Sequence, residues 1–129
     1  KPHIIILEMT DKHDQESANE PTKANGKISG TDKYAQVKDY EKKIHYKFGD
    51  MEYTLDSMGI RDINQHHICA LVTLNKKDYM FDGENNITIQ RQDWKKLLNK
   101  NQDFKITPRI PETYNLTKGY QCLLYYRSK

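Results

Sequence analysis

The chain has 129 residues, enough for one domain or part of one. Its hydrophobic fraction of 36% and mean hydropathy of −0.97 are low, but Ile, Leu, Val and Phe gather in a few runs, which implies a modest core with long polar insertions. With 21 basic and 18 acidic residues mixed along the chain, the net charge of +3 defines no basic face and argues against nucleic-acid binding.

No signal peptide is evident, and no apolar run approaches the roughly 18 residues of a membrane span. Cys69 and Cys122 lie in apolar strand-like stretches, without metal-site or disulfide spacing. They read as small buried hydrophobes in a reducing, intracellular setting, cytoplasm or nucleus. No metal or other cofactor is implied. The start at Lys1, directly before a strand, reads as a piece of a longer protein, so residues 1–129 are taken as a single, partial domain.

Pro2–Met9 is a continuous β-branched run and predicts a strand buried on both faces. Residues 10–33 are almost wholly polar, with Gly26 and Gly30, and read as a flexible insertion in which His13 is a solvated side chain. Tyr34–Lys43 is compatible with a short helix or a polar edge strand. Ile44–Phe48 alternates with period two, predicts a strand, and carries His45 as an exposed strand histidine. After Gly49-Asp50, Met51–Ile60 predicts another strand, with a bulge or twist at Gly59.

Arg61–Gln65 is a polar loop delivering His66 and His67 to the strand Ile68–Leu74. Asn75-Lys76 is a tight-turn signal that folds this strand onto Lys77–Phe81, closed by Asp82. The hairpin brings a histidine and an aspartate fifteen residues apart to neighbouring positions. A histidine held by a carboxylate is the orienting half of a nucleophilic triad. Sequence leaves open whether His67 or its alternative, His66, faces the cleft, since one step of register exchanges faces.

A turn at Asp82–Asn86 leads to a short strand at Ile87–Ile89. Arg91–Lys100 predicts a helix, with Trp94, Leu97 and Leu98 as an apolar stripe and Trp94 as a packing anchor. Pro108 and Pro111 keep Asn101–Leu116 irregular. Gly119–Arg127 predicts a final strand with Tyr120, Cys122 and Leu124 on one face and Gln121, Leu123 and Tyr125 on the other. The expected class is α+β: a mostly antiparallel sheet of five or six strands with one or two helices.

In order, these motifs resemble the C-terminal half of the ubiquitin-specific protease catalytic domain, a papain-like cysteine protease. The matching stretches are Pro2-His-Ile-Ile-Ile-Leu7, Tyr53-Thr-Leu55, the histidine box His66-His67-Ile68-Cys69-Ala70, Tyr79-Met-Phe-Asp82, and Leu123-Leu-Tyr-Tyr-Arg127. They span nearly the whole chain, and the details look most like divergent versions from large DNA viruses. The resemblance implies a papain-like palm, with His67 as general base and Asp82 as the residue that orients it. It also implies a ubiquitin or ubiquitin-like partner, cleaved by isopeptide or peptide hydrolysis.

The family's cysteine box is absent from this chain; the resemblance places it upstream. Neither Cys69 nor Cys122 replaces it, both being mid-strand with no helix N-terminus to lower a thiol pKa. Cys69 would also sit about 7 Å along the strand from His67, at ~3.3 Å per residue. His66 replaces the usual glycine and Ile68 the usual aromatic, changes that narrow the cleft. The alternative function is a catalytically inactive descendant, a structural or interaction module among the protein subunits of a virion or other large assembly. A third reading is an unrelated α+β domain in which His67 and Asp82 are ordinary strand-end residues.

Overall fold

Short alternating segments separated by two-residue turns pair most readily with their neighbours in sequence. The computed structural model describes residues 2–10, 40–84 and 87–129. Its strands are β1 (Ile4–Met9), β2 (His45–Phe48), β3 (Met51–Arg61), β4 (Ile68–Leu74), β5 (Lys77–Asp82), β6 (Ile87–Arg91) and β7 (Gln121–Arg127). They form one sheet in the order β1-β7-β3-β4-β5-β6, with β2 beside the first residues of β3. Every pairing is antiparallel.

The expected α+β class, with one or two helices as in a papain-like palm, is therefore corrected. The described residues are nearly all antiparallel sheet, with 49% of them in strands and no α-helix among them. Where Arg91–Lys100 predicts a helix, only Trp94–Leu97 forms a 3₁₀ turn. One turn of apolar stripe does not offset helix nucleation, and tertiary bonds capture the polar residues around it. Asn99 exchanges two hydrogen bonds with the Lys42 backbone, while Asn101 and Asp103 both accept from the buried Asn115 amide. Trp94 is nevertheless an anchor, fully buried, with its indole N–H donating to the Val72 carbonyl at 3.1 Å.

Two further expectations change. The Pro2–Met9 run is not buried on both faces: β1 ends the strand order, with Ile4 and Ile6 52% and 59% exposed while Ile5, Leu7 and Met9 pack on the core. The irregularity of β3 falls between Leu55 and Ser57 rather than at Gly59, which pairs regularly with Ala70 and Cys122. That shift keeps Tyr53, Leu55, Met58 and Ile60 all on the buried face despite their uneven spacing. Most of the 10–33 insertion, including His13, lies outside the described residues, as do residues 34–39; Tyr40–Lys43 has no regular structure. No helix among the described residues is long and apolar enough to cross a membrane.

One face of the sheet carries the core, built on Trp94, Tyr53, Tyr114, Tyr125, Leu71, Met80 and Leu123. The irregular chain from 92 to 118 and the 40–44 segment supply its cover. Tyr125 donates its hydroxyl to the Lys43 carbonyl at 2.6 Å, and the Lys42 ammonium donates to the Leu116 carbonyl at 2.6 Å.

Asn75 and Lys76 both hold positive φ, 51° and 66°, as a type I′ hairpin turn requires. A lysine is strained there, so Lys76→Gly should stabilise the chain by about 0.5–1 kcal/mol in urea unfolding. Burial lowers the Lys42 pKa from 10.5 to about 8. Its burial penalty is therefore full below about 8 and is relieved as pH rises toward 10.5. Unfolding free energies measured from pH 7 to 10 should show that rise in the parent chain and a flatter profile in Lys42→Met.

Candidate functional site

Period-two alternation decides which face each candidate side chain takes. Ala70 pairs with Phe81 and Leu71 with Met80, so one further step of register sets Cys69 opposite Asp82. Cys69, Leu71, Met80 and Asp82 all face the core side and are buried. His67 shares that side, two residues before Cys69, and is the diagonal neighbour of Asp82. Such neighbours lie within reach of long or aromatic side chains.

The contact is made. His67 Nε2 lies 2.7 Å from Asp82 Oδ2, with the two side chains 10% and 1% exposed. The other carboxylate oxygen, Asp82 Oδ1, accepts the Glu84 N–H at 3.1 Å across the Gly83 turn. On the far side of the ring, His67 Nδ1 lies 3.0 Å from Glu84 Oε1, whose side chain is largely solvated. The tight hairpin and the two-residue spacing thus bring together two groups that the sequence separates by fifteen positions.

The charges explain how the pair titrates. Burial alone would lower the His67 pKa, but the hydrogen bond and charge of Asp82, together with the charges of two glutamates, outweigh it. With Glu84 and Glu112 adding their fields, the pKa is raised above the ordinary 6.5. When the ring is neutral, a proton on Nε2 serves Asp82 and leaves the lone pair on Nδ1, beside the solvated Glu84 carboxylate. Nδ1 is thus the nitrogen placed to accept a proton from an incoming thiol, hydroxyl or water. Glu84, on a solvated side chain, can leave it at little expense.

His66, the alternative base, is exposed, and it is His67 that reaches Asp82. His45 sits elsewhere, with Nδ1 3.2 Å from the Thr54 hydroxyl on the exposed β2–β3 hairpin. Neither cysteine supplies a nucleophile. Cys69 is buried, and desolvation raises its thiol to about 12 against a smaller lowering from the Tyr114 hydroxyl. Cys122 lies on the opposite face of the sheet, in alternation with the buried Leu123. No group of three or more His, Cys, Asp and Glu side chains suited to a metal ion occurs among the described residues.

Sequence reasoning missed Asp62. This 3% exposed residue precedes the histidine loop, and its Oδ1 accepts the N–H groups of both His66 and His67, at 2.7 and 3.0 Å. The available signal was an Asp opening a polar turn, a residue type that captures backbone N–H groups a few positions on.

The raised pKa has a definite sign in stability. A histidine with a folded pKa above its unfolded value contributes fully below the unfolded value, and the contribution is lost as pH rises through the folded pKa. NMR titration should therefore place the His67 midpoint above 6.5. Asp82→Asn should move that midpoint down and remove the extra stability seen on the acidic side. An unchanged midpoint would mean that Asp82 does not govern the ring.

Comparisons with protein-family models, with curated proteins and with solved structures find no match to this chain.

Proposed function

We propose that this chain carries the base half of a thiol-dependent hydrolase acting on ubiquitin or a ubiquitin-like protein, with the nucleophilic cysteine supplied from outside residues 1–129. The observation that carries the reading is the short bond from His67 Nε2 to the buried Asp82 carboxylate, with Nδ1 against the solvated Glu84 side chain. A general base needs one ring nitrogen fixed by an orienting acceptor and the other able to take a proton, which here requires Glu84 to leave Nδ1. The ordered resemblance to the ubiquitin-specific proteases supports the substrate class.

In this mechanism Nδ1 takes the thiol proton as the sulfur attacks the carbonyl carbon of the scissile bond. Asp82 holds the ring and stabilises the imidazolium that forms. The imidazolium then returns its proton to the departing amine, leaving an acyl-thioester. Water attacks that thioester with Nδ1 again as base, and the thiol is released. Before the first step Glu84 has to swing from Nδ1, and its solvated position allows this.

A second reading has its own support. No described thiol is placed to use His67, and Glu84 occupies the approach to Nδ1. Both fit an inactive descendant that serves as an interaction module among the protein subunits of a viral or other assembly. An intracellular location accords with either reading.

A ubiquitin-like probe with a thiol-reactive C-terminal electrophile separates the two in the polypeptide that supplies the cysteine. The active reading expects a covalent adduct on that cysteine, formed about 10²-fold or more slowly in His67→Ala and less severely slowed in Asp82→Ala. Equal labelling of a folded His67→Ala protein would sink the assignment of the base. The absence of any adduct from a folded parent protein would favour the interaction module.

A further inference from the structure

His67 stands one residue before β4 begins, where strand ends ordinarily fray, and yet its ring must hold a 2.7 Å contact. Its N–H and carbonyl are both held by Asp62. Asp62 donates its N–H to the His67 carbonyl at 2.8 Å. Its Oδ1 accepts the His67 N–H at 3.0 Å and the His66 N–H at 2.7 Å. The Asp62 carbonyl closes the intervening turn by accepting the Gln65 N–H at 2.9 Å. Both polar backbone groups of His67 therefore end on Asp62.

The loop is also fixed from outside. Arg61 donates its N–H to the Tyr120 carbonyl and Ile63 donates to the Thr113 carbonyl, so Asp62 is held between two anchored neighbours. Gln65 takes the positive φ of 61° that the turn needs. It lies against Gly119, where an added Cβ would come within 2.5 Å of the Gln65 side-chain amide.

We propose that Asp62 is the positioning residue for His67: its carboxylate fixes the backbone from which the imidazole reaches Asp82. The inference rests on the reading of His67 as the base. Its physical ground is that a hydrogen bond of this length fails with a displacement of about 1 Å, and a displaced base loses rate on the order of 10²-fold. The route is geometric. The charges that raise the His67 pKa are those of Asp82, Glu84 and Glu112, so a neutral side chain keeping the Asp62 oxygen should preserve the site.

His67 is followed by NMR through pH titration and ring-nitrogen shifts in the 129-residue chain and in three variants. Asp62→Asn retains the accepting oxygen and should keep both the raised midpoint and the Nε2-protonated tautomer. Asp62→Ala removes the acceptor, and Asp62→Glu moves it by one methylene. Each should bring the midpoint back toward the ordinary histidine value while the Trp94 and Leu71 core signals persist. Should Asp62→Ala fail to fold, the contrast between Asn and Glu decides the matter. An unchanged His67 titration in folded Asp62→Ala or Asp62→Glu overturns the proposal. A shifted one in Asp62→Asn, showing that charge and not position acts, overturns it equally. These spectra need no substrate, so a His67→Ala protein that still reacts with the probe would defeat the protease reading without touching this result.

Discussion

The structure depends on the pairing of β7 with β3. β7 lies between β1 and β3, and its buried residues Leu123 and Tyr125 meet Met58 and Leu55 across the ladder. Seven consecutive β7 residues supply this pairing, though the two strands are separated by some sixty positions. Non-local pairing of that kind is repaid only when the buried face closes over it. Here Trp94, Tyr114 and Leu116 supply the closure from chain that is otherwise irregular. Side-chain hydrogen bonds hold this cover more than local propensity does: Asn115 joins Asn101 and Asp103, Gln121 donates to the Leu116 carbonyl, and Lys42 reaches the same carbonyl.

The candidate site is an offshoot of that frame. β4 is laid on β3 through Arg61↔Ile68, and β5 on β4 through the Asn75-Lys76 turn. His67 and Asp82 emerge at the end of the hairpin far from its turn. The core face there changes from Leu71 and Met80 to Cys69, and then to two ionisable groups. Burying Asp82 to 2% exposure is tolerable because both carboxylate oxygens have partners, the His67 ring and the Glu84 N–H. The buried Asp82 carboxylate holds Nε2 of the partly buried ring and, with Glu84 and Glu112, raises its pKa.

The two faces of the sheet differ sharply. The buried face is aromatic and complete, whereas Ile4, Ile6, Ile68, Phe81, Ile89 and Tyr126 are all 42–59% exposed. Those that belong to the strands' other face share it with Cys122 and Leu124, whereas Cys69 lies buried on the core side. His67 is held by Asp82, while Cys69 is buried and Cys122 lies on the other face.

The sequence by itself determined the local elements, to within a residue or two at their ends: strand-like runs at 44–48, 51–60, 68–74 and 119–127, the tight turn at Asn75-Lys76, and the adjacency of a histidine and Asp82. Alternation and turn chemistry act over a few residues, so they can be read without the fold. Tertiary structure alone decided the rest. It made the Trp94 segment a 3₁₀ turn, because Asn99 and the buried indole found distant partners that helix propensity does not anticipate. It placed Pro2–Met9 at the end of the strand order, because composition reports hydrophobicity and not the number of neighbouring strands. It shifted the β3 irregularity to Leu55/Ser57, and it chose His67 over His66, because register is set by pairing with β3 and by the grip of Asp62 on the loop. Each of these rests on contacts between residues distant in sequence or on one step of register, and a linear pattern carries neither.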